Sequence, residues 1–252
     1  MIYVSHLLSD EEMKEIIERT GVGVESIEFS VAENLDHFSE TLAAYKKRLR
    51  FMGTEELTLH GPFLDLNPAA YDREIWKATF YRFSQCYEAA RELGAKKVIY
   101  HSCMYPEVYF TTGWAERMRD FFCEFMEKHH GITICMENVL DREWEPLCGT
   151  AKLVDHPDFQ LCLDVGHAPC YSKIPVETWA IQLAPYASHI HLHDNMGDRD
   201  AHDGLGNGTI PWERVFDNLS GSKAETYTIE CSSKEMVMQS YDYLTQKLGK
   251  MF

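Results

Sequence analysis

Short apolar segments of strand length alternate with amphipathic segments of helix length along the whole chain. Some apolar segments are almost continuous, such as Val98-Ile99-Tyr100, which is typical of parallel strands buried on both faces. Residues 74–93 instead carry apolar side chains at three- and four-residue spacing, which predicts a helix. The pattern predicts eight strands, at residues 2–6, 24–30, 56–60, 97–101, 132–137, 160–164, 189–193 and 226–231.

Local signals mark the ends of several helices. Ser9 precedes Asp10-Glu11-Glu12, a capping-box arrangement that predicts a helix over 10–20. A glycine that follows a helical segment favours a left-handed C-terminal cap, which we expect at Gly94, Gly131 and Gly249.

The strict alternation of eight strands with helices favours a closed (β/α)8 barrel, a TIM barrel, over an open sheet. An open dinucleotide-binding sheet would require a glycine-rich phosphate loop after the first strand, and none follows it here. The length of 252 residues suits a single TIM-barrel domain over 1–252. Long loops follow the third, fourth and seventh strands, at 61–72, 102–112 and 194–210, where a barrel builds its active site.

The composition limits the kinds of partner that the protein is expected to bind and the compartment in which it is expected to lie. The formal net charge of −16, from 24 Lys and Arg against 40 Asp and Glu, disfavours nucleic acid. No apolar run is long enough to span a membrane, and the N-terminal residues show no secretory signal, so we expect a cytoplasmic protein. The eight cysteines form no CxxC pair and are expected to be buried reduced thiols. Assembly into a homo-oligomer is left open.

Asp, Glu or His stands at or just after the end of every predicted strand from the third to the eighth. Strand ends in a barrel point towards one axis, so these groups would crowd together at high electrostatic cost unless cations neutralise them. The candidates expected first to bind metal are Glu137, Asp164, His191 and Glu230. Five more residues are candidates either for metal or for substrate: His60, His101, His167, Asp200 and His202.

Other residues are set aside or left ambiguous. His189 and His193 compete with His191, because the three alternate along one strand. Five histidines are expected to lie at the surface or to have hydrogen-bond partners within the core: His6, His37, His129, His130 and His156. Aromatic residues after the fourth strand would either stack on a sugar ring or nucleobase or pack their own loop: Tyr105, Tyr109, Phe110 and Trp114.

These residues, in this order, resemble the xylose isomerase-like superfamily, which includes sugar-phosphate isomerases and epimerases and the endonuclease IV family. The resemblance runs from about the third strand to the eighth. Its matched segments are His60-Gly61-Pro62, Glu137-Asn138, Leu163-Asp164-Val165-Gly166-His167, His191-Leu192-His193-Asp194, and Asp200-Ala201-His202 with Leu205-Gly206-Asn207-Gly208.

The isomerase-like branch implies one divalent ion on Glu137, Asp164, His191 and Glu230. In that branch the two glutamates, Glu137 and Glu230, also form the catalytic acid–base pair. The resemblance therefore implies an isomerase or epimerase that moves a proton of a small sugar or sugar phosphate through an enediolate. The expected ion is Zn²⁺ or Mn²⁺, with Mg²⁺ or Co²⁺ as alternatives.

The endonuclease IV branch implies a zinc-dependent phosphodiesterase or abasic-site endonuclease with a trinuclear site, and all nine candidate ligands match its ligand types. The number of ions is therefore open between one and three. The surroundings depart from the nuclease pattern, because Ala201 replaces an arginine and Asn195-Met196 replaces a small residue and a lysine. The loop 61–72 is also poor in basic residues. We expect isomerase or epimerase chemistry, with the nuclease and a non-catalytic metal-binding barrel as alternatives.

Overall fold

Eight parallel strands close into a barrel in chain order, with β8 pairing back to β1. The computed structural model describes residues 1–248, so the cap expected at Gly249 lies outside the described residues. The strands are β1 (Ile2–Ser5), β2 (Gly23–Ser26), β3 (Leu57–His60), β4 (Lys97–His101), β5 (Thr133–Glu137), β6 (Phe159–Asp164), β7 (Ala187–Leu192) and β8 (Thr226–Ile229). The predicted (β/α)8 barrel is confirmed.

Helices follow the strands around the outside of the barrel. They are α1 (Asp10–Thr20), α2 (Ala32–Asp36), α3 (Phe38–Met52), α4 (Arg73–Leu93), α5 (Trp114–Lys128), α6 (Glu145–Val154), α7 (His167–Tyr171), α8 (Val176–Leu183), α9 (Trp212–Leu219) and α10 (Lys234–Leu248). Among the described residues, no helix is long and apolar enough to cross a membrane.

Apolar packing surrounds the strands on both sides. Outside the barrel, the Phe83 ring of α4 stacks on Tyr100 of β4 at 3.9 Å. A separate small cluster, Ile99, Cys135 and Cys162, comes from three neighbouring strands. The eight cysteines are free, and six of them are buried, as the sequence predicts for reduced thiols. Burial on both faces explains why the strands are nearly continuous apolar runs.

The register of the strands brings the candidate ligands level with one another. His101 of β4 pairs with Glu137 of β5, and Asp164 of β6 pairs with His191 of β7. Because neighbouring strands in a parallel sheet run in the same direction, paired residues at their carboxyl ends lie at one height. The topology alone therefore gathers these side chains at one end of the barrel.

Apart from the second strand, the predicted strands agree with the observed ones to within two residues at each end, and two predictions need correction. The second strand was predicted over 24–30, but it ends at Ser26, and a short 3₁₀ helix occupies Glu28–Ser30. The Ser26 hydroxyl accepts a hydrogen bond from the Glu28 backbone N–H at 3.2 Å, which turns the chain out of the sheet. The capping box at Ser9 is confirmed.

The second correction concerns the left-handed glycine caps, which are confirmed only in part. Gly94 ends α4 in the left-handed conformation, with φ of 74°. Gly131 is also left-handed, but α5 already ends at an extended His129, so Gly131 turns the chain towards β5 instead of capping the helix.

Candidate metal centre

All nine predicted ligands lie at the carboxyl end of the barrel. Four of them are the last residues of β3 to β6, and His191 lies inside β7. Glu230 directly follows β8, and His167 begins α7. Asp200 and His202 lie in the loop after β7. The structure therefore brings together every residue that the sequence singled out.

The middle of this group is a central cluster of Glu137, Asp164, His191 and Glu230. His191 Nδ1 lies 3.3 Å from Glu137 Oε1, 3.6 Å from Glu230 Oε1 and 3.8 Å from Asp164 Oδ2. All four side chains are at least nine-tenths buried. Three carboxylates thus converge on one imidazole nitrogen at the floor of the site.

A second cluster, the His60 cluster, consists of His60, His101 and Glu137. The two Nε2 atoms lie 3.1 Å apart, and Glu137 Oε2 lies 3.4 Å from His60 Nε2 and 3.8 Å from His101 Nε2. The Glu137 carboxylate therefore takes part in two clusters, one through each oxygen.

A third cluster, the Asp200 cluster, contains His167, Asp200 and His202. Asp200 Oδ2 lies 3.3 Å from His167 Nε2 and 3.4 Å from His202 Nε2. His202 has φ of 51°, a left-handed backbone that is uncommon for a residue other than glycine. An antiparallel bridge between Asp194 and Asp203 closes the loop that carries Asp200 and His202.

The Asp194 side chain explains the Leu205-Gly206-Asn207-Gly208 motif. Its buried carboxylate accepts hydrogen bonds from the Gly206 backbone N–H at 2.9 Å and from Trp212 Nε1 at 2.8 Å. A Cβ on Gly208 would lie 2.2 Å from Asp194 Oδ1, so only glycine fits there. The motif holds the ligand-bearing loop against the barrel.

Backbone carbonyls select the tautomers of three candidate ligands. The Nδ1 atom of His60 contacts the Gly61 carbonyl at 3.0 Å, that of His167 contacts Asn138 at 2.9 Å, and that of His202 contacts Glu230 at 2.8 Å. A carbonyl oxygen only accepts, so each Nδ1 carries the proton. In the neutral ring each Nε2 then presents its lone pair to the clusters, which is the tautomer that a metal ligand needs.

The donor set fits divalent cations. We call the space enclosed by the nine candidate ligands the chamber. It contains their four carboxylates, from Glu137, Asp164, Asp200 and Glu230, and no lysine or arginine is among the described residues that line it. Buried atoms without a hydrogen-bond partner include Glu137 Oε2, His191 Nδ1 and Asp200 Oδ1. Unpartnered buried acceptors are costly, and metal coordination by imidazole and carboxylate removes that cost.

The carboxylates also control the protonation of the chamber in the absence of metal. Burial opposes protonation of His167, but Asp164 and Asp200 outweigh it and raise its pKa to about 10. At His202, burial is likewise outweighed by Asp200 and Glu230, and its pKa rises to about 9. Burial dominates at His101 and lowers its pKa to about 3. Protons on His167 and His202 thus offset part of the negative charge until a metal replaces them.

Comparison with known proteins identifies the family of the chain. Residues 18–247 match a family model described as xylose isomerase-like TIM barrel. The chain belongs to the xylose isomerase-like TIM barrel family. The resemblance found in the sequence is therefore confirmed.

Relatives of this xylose isomerase-like barrel are similar over most of its length. The uncharacterized protein MJ1311 of Methanocaldococcus jannaschii is 28% identical over 200 residues, which cover 75% of this chain and 68% of that protein. A solved D-tagatose 3-epimerase-like protein superposes with a TM-score of 0.81 at 23% identity, covering 99% of this chain and 97% of that one. The TTHB071 protein from Thermus thermophilus, soaked with ZnCl2, gives 0.80 at 21% identity, with 99% and 98% covered. The two structures share the fold of this chain.

In this xylose isomerase-like barrel, a cavity of about 380 Å³ opens over the clusters. Glu137, Glu230 and the other members of the His60 and Asp200 clusters belong to its lining, whereas the fully buried Asp164 and His191 do not. The rest of the lining is mixed, with Ser5, Ser30 and the apolar side chains of Leu7, Ile27, Phe63 and Val139. A cavity of this size and mixed character suits a small polar molecule.

Sequence reasoning missed three residues of the site. Glu25 of β2 lies fully buried beneath His191. The second strand was predicted over 24–30, which contains both Glu25 and Glu28, so the sequence alone did not single out Glu25. His193, which the sequence left in competition with His191, lies beside Asp164 and Asp200. Phe63 stacks on His101 at 4.2 Å and lines the cavity, which no pattern in its loop indicates.

The aromatic residues after β4 do not line this cavity. Trp114 is buried in the core, and Tyr109 stacks on Tyr71 at 6.1 Å. The loop-packing interpretation therefore holds for these two side chains. The five histidines that the sequence analysis set aside also stay outside the cavity lining. His6, for example, is buried between Tyr45 and Asp10.

Proposed function

We propose that this protein is a divalent-metal-dependent isomerase or epimerase that acts on a small sugar or sugar phosphate by proton transfer. The observation that carries the proposal is the placement of two glutamates from β5 and β8 around one histidine. Glu137 and Glu230 approach His191 Nδ1 to 3.3 and 3.6 Å, and both line the cavity of about 380 Å³. Membership of the xylose isomerase-like family and the similarity to a D-tagatose 3-epimerase-like structure support this assignment.

The central cluster would hold the ion through Glu137, Asp164, His191 and Glu230. A bound divalent cation polarises a carbonyl and its neighbouring hydroxyl, which acidifies the C–H bond between them. Glu137 and Glu230 are the groups that transfer protons. One carboxylate removes a proton from the substrate carbon and keeps it, and the other, in its protonated form, donates its own proton to that carbon or its neighbour. Asp164 and His191 lie under the cavity surface, where they bind and orient without touching substrate.

The charge of the site supports a small substrate over a nucleic acid. The described lining of the cavity contains neither lysine nor arginine. The basic cluster Lys46-Lys47-Arg48 lies on α3, where Arg48 is already paired with Asp10 and Glu28. Binding of duplex DNA depends on basic groups placed against phosphates around the cleft. A monosaccharide needs only the hydrogen-bonding groups that are present.

A second candidate function, hydrolysis of a phosphoester, is favoured by one observation, the presence of three donor clusters instead of one. Three divalent ions would bring six positive charges against five carboxylates, the four of the chamber and the buried Glu25 beneath His191. The surplus of one would attract a phosphate oxygen and favour hydroxide over water as the nucleophile. The same cavity would then take a small phosphate ester.

Metal loading and isotope exchange separate the two candidates. Metal-free protein is titrated with Zn²⁺, Mn²⁺, Mg²⁺ or Co²⁺, and each form is incubated in D₂O with a panel of ketoses and ketose phosphates. Deuterium appearing at a substrate carbon, detected by NMR, supports the isomerase or epimerase. Cleavage of bis(p-nitrophenyl) phosphate or abasic-site DNA, without deuterium exchange and with three zinc ions bound, moves the assignment to the second candidate. Metal binding without turnover of either kind rejects both enzymes.

A further inference from the structure

His193 occupies an unexpected place in the chamber. It lies one residue after β7, is fully buried, and stacks on His202 with ring centroids 4.1 Å apart. Gly166 makes room for it, because a Cβ at that position would lie 2.0–2.5 Å from atoms of the His193 ring. The ring is therefore held between β6 and the ligand-bearing loop.

The hydrogen bonds of His193 fix which nitrogen is free. Its Nε2 lies 3.1 Å from Asp164 Oδ1, and since a carboxylate accepts, Nε2 carries the proton. Its Nδ1 is buried without a hydrogen-bond partner. Asp200 Oδ1 lies 3.6 Å from His193 Nδ1 and is also buried without a hydrogen-bond partner. These two atoms face each other beyond hydrogen-bond distance, and each has a free lone pair. A cation bound between them would stabilise this arrangement.

The Asp200 cluster completes this arrangement. His167 Nε2 and His202 Nε2 lie 3.3 and 3.4 Å from Asp200 Oδ2, and each presents a lone pair once a metal ion displaces its proton. Together with His193, these residues can offer ligand atoms that all lie within 4.8 Å of one another. Zinc bonds of about 2.0 Å in tetrahedral geometry place neighbouring ligand atoms about 3.3 Å apart. The spacing around Asp200 is close to that value.

We propose that His193 is the fourth ligand of a closed metal site made with His167, Asp200 and His202. A site with four protein ligands leaves no open position for substrate, whereas a three-ligand site keeps one. The ion at this site therefore fastens the loop of Asp200 and His202 to β6 and β7. Open positions for substrate belong to the two clusters that share Glu137. The inference rests on the metal-binding part of the proposed function and is independent of the substrate.

The test is a cobalt(II) titration of metal-free full-length protein, followed by visible absorption. Wild-type protein should bind one tight equivalent with the intense absorption of four-coordinate cobalt. In His193→Asn this equivalent should weaken by at least roughly tenfold, as it should in Asp200→Asn. The matched control is His129→Asn, a half-buried histidine bonded to the Phe125 carbonyl outside the chamber, which should titrate like wild type. Equal affinity and an equal spectrum in His193→Asn would overturn the proposal.

A measurement on wild-type protein covers the case in which His193→Asn does not fold. With zinc in excess, ¹⁵N NMR of histidine-labelled protein should show His193 bound through Nδ1, together with His167 and His202 bound through Nε2. A His193 imidazole that stays free of zinc while His167 and His202 are bound would overturn the inference while leaving the proposed function intact. A wild-type protein that binds no metal at all would overturn both.

Discussion

Glu25 Oε1 lies 2.9 Å from His191 Nε2, on the side of the imidazole opposite the other carboxylates. Both side chains are fully buried. The second oxygen of Glu25 accepts hydrogen bonds from Thr58 Oγ1 at 2.8 Å and from Thr228 Oγ1 at 2.9 Å, which hold the carboxylate in place. Neither Glu25 Oε1 nor His191 Nε2 has a hydrogen-bond partner, so the contact between them is one of charge. A negative charge behind a histidine increases the basicity of the nitrogen that faces a metal.

Glu25→Gln should therefore weaken metal binding by the central cluster roughly 10- to 100-fold. Glutamine keeps the shape but removes the charge that supports His191. Affinity is measured by competition with a chelator, using Zn²⁺ or Co²⁺. Glu56→Gln is the control, since Glu56 pairs with Lys96 before β4, away from the clusters. An unchanged affinity in Glu25→Gln would show that the carboxylate does not act through His191.

Glu230→Gln should reduce proton transfer to substrate by roughly 10²- to 10⁴-fold while the barrel stays folded, because the replacement is nearly isosteric. The rate of deuterium incorporation in D₂O measures the loss, and circular dichroism checks the fold. Glu40→Gln, a change at an exposed side chain on α3, provides the control. If Glu230→Gln kept the full exchange rate, the acid–base role would have to be assigned elsewhere.

Gly208→Ala should lower the free energy of unfolding by roughly 1–3 kcal/mol. Its Cβ would lie 2.1 Å from the Asn195 carbonyl oxygen and 2.2 Å from Asp194 Oδ1, so the loop must shift. Gly149→Ala in α6 is the matched control, because its Cβ would meet Ala115 at an ordinary 3.5 Å. That helix substitution should stabilise by roughly 0.5–1 kcal/mol. Urea unfolding measures both, and a Gly208→Ala protein as stable as wild type would contradict the close packing at this glycine.

Asp141→Asn should change how stability depends on pH. Burial raises the pKa of Asp141 to about 6, against the opposing hydrogen bonds from Ser102 and the Val139 backbone. A carboxyl group with a raised pKa contributes stability below its unfolded value of about 3.9, and this is lost as the pH rises through about 6. Relative to Asp141→Asn, wild type should lose roughly 2–3 kcal/mol across that window. Urea unfolding at several pH values checks this, and parallel curves for the two proteins would contradict it.

The barrel could be predicted because its strands are short apolar runs that burial on both faces requires. The nine candidate ligands could be found because parallel strands end at one face, so a charged residue at each end points to a shared site. His193 could not be assigned by the same logic. His189, His191 and His193 alternate along one strand and face the same side, and only their contacts tell them apart. His189 meets Thr226 and Glu25 deep in the barrel, while His193 reaches Asp200.

The Glu137 carboxylate has one oxygen in each of two clusters. Oε1 lies 3.3 Å from His191 Nδ1, and Oε2 lies 3.4 Å from His60 Nε2. An ion that engages one oxygen withdraws charge from the other and fixes the rotation of the side chain. Two ions on either side of Glu137 would therefore alter each other's affinity, and by thermodynamic reciprocity the factor would be the same whichever ion binds first. If this barrel takes up two such ions, their binding is coupled through one side chain and is not the sum of independent sites.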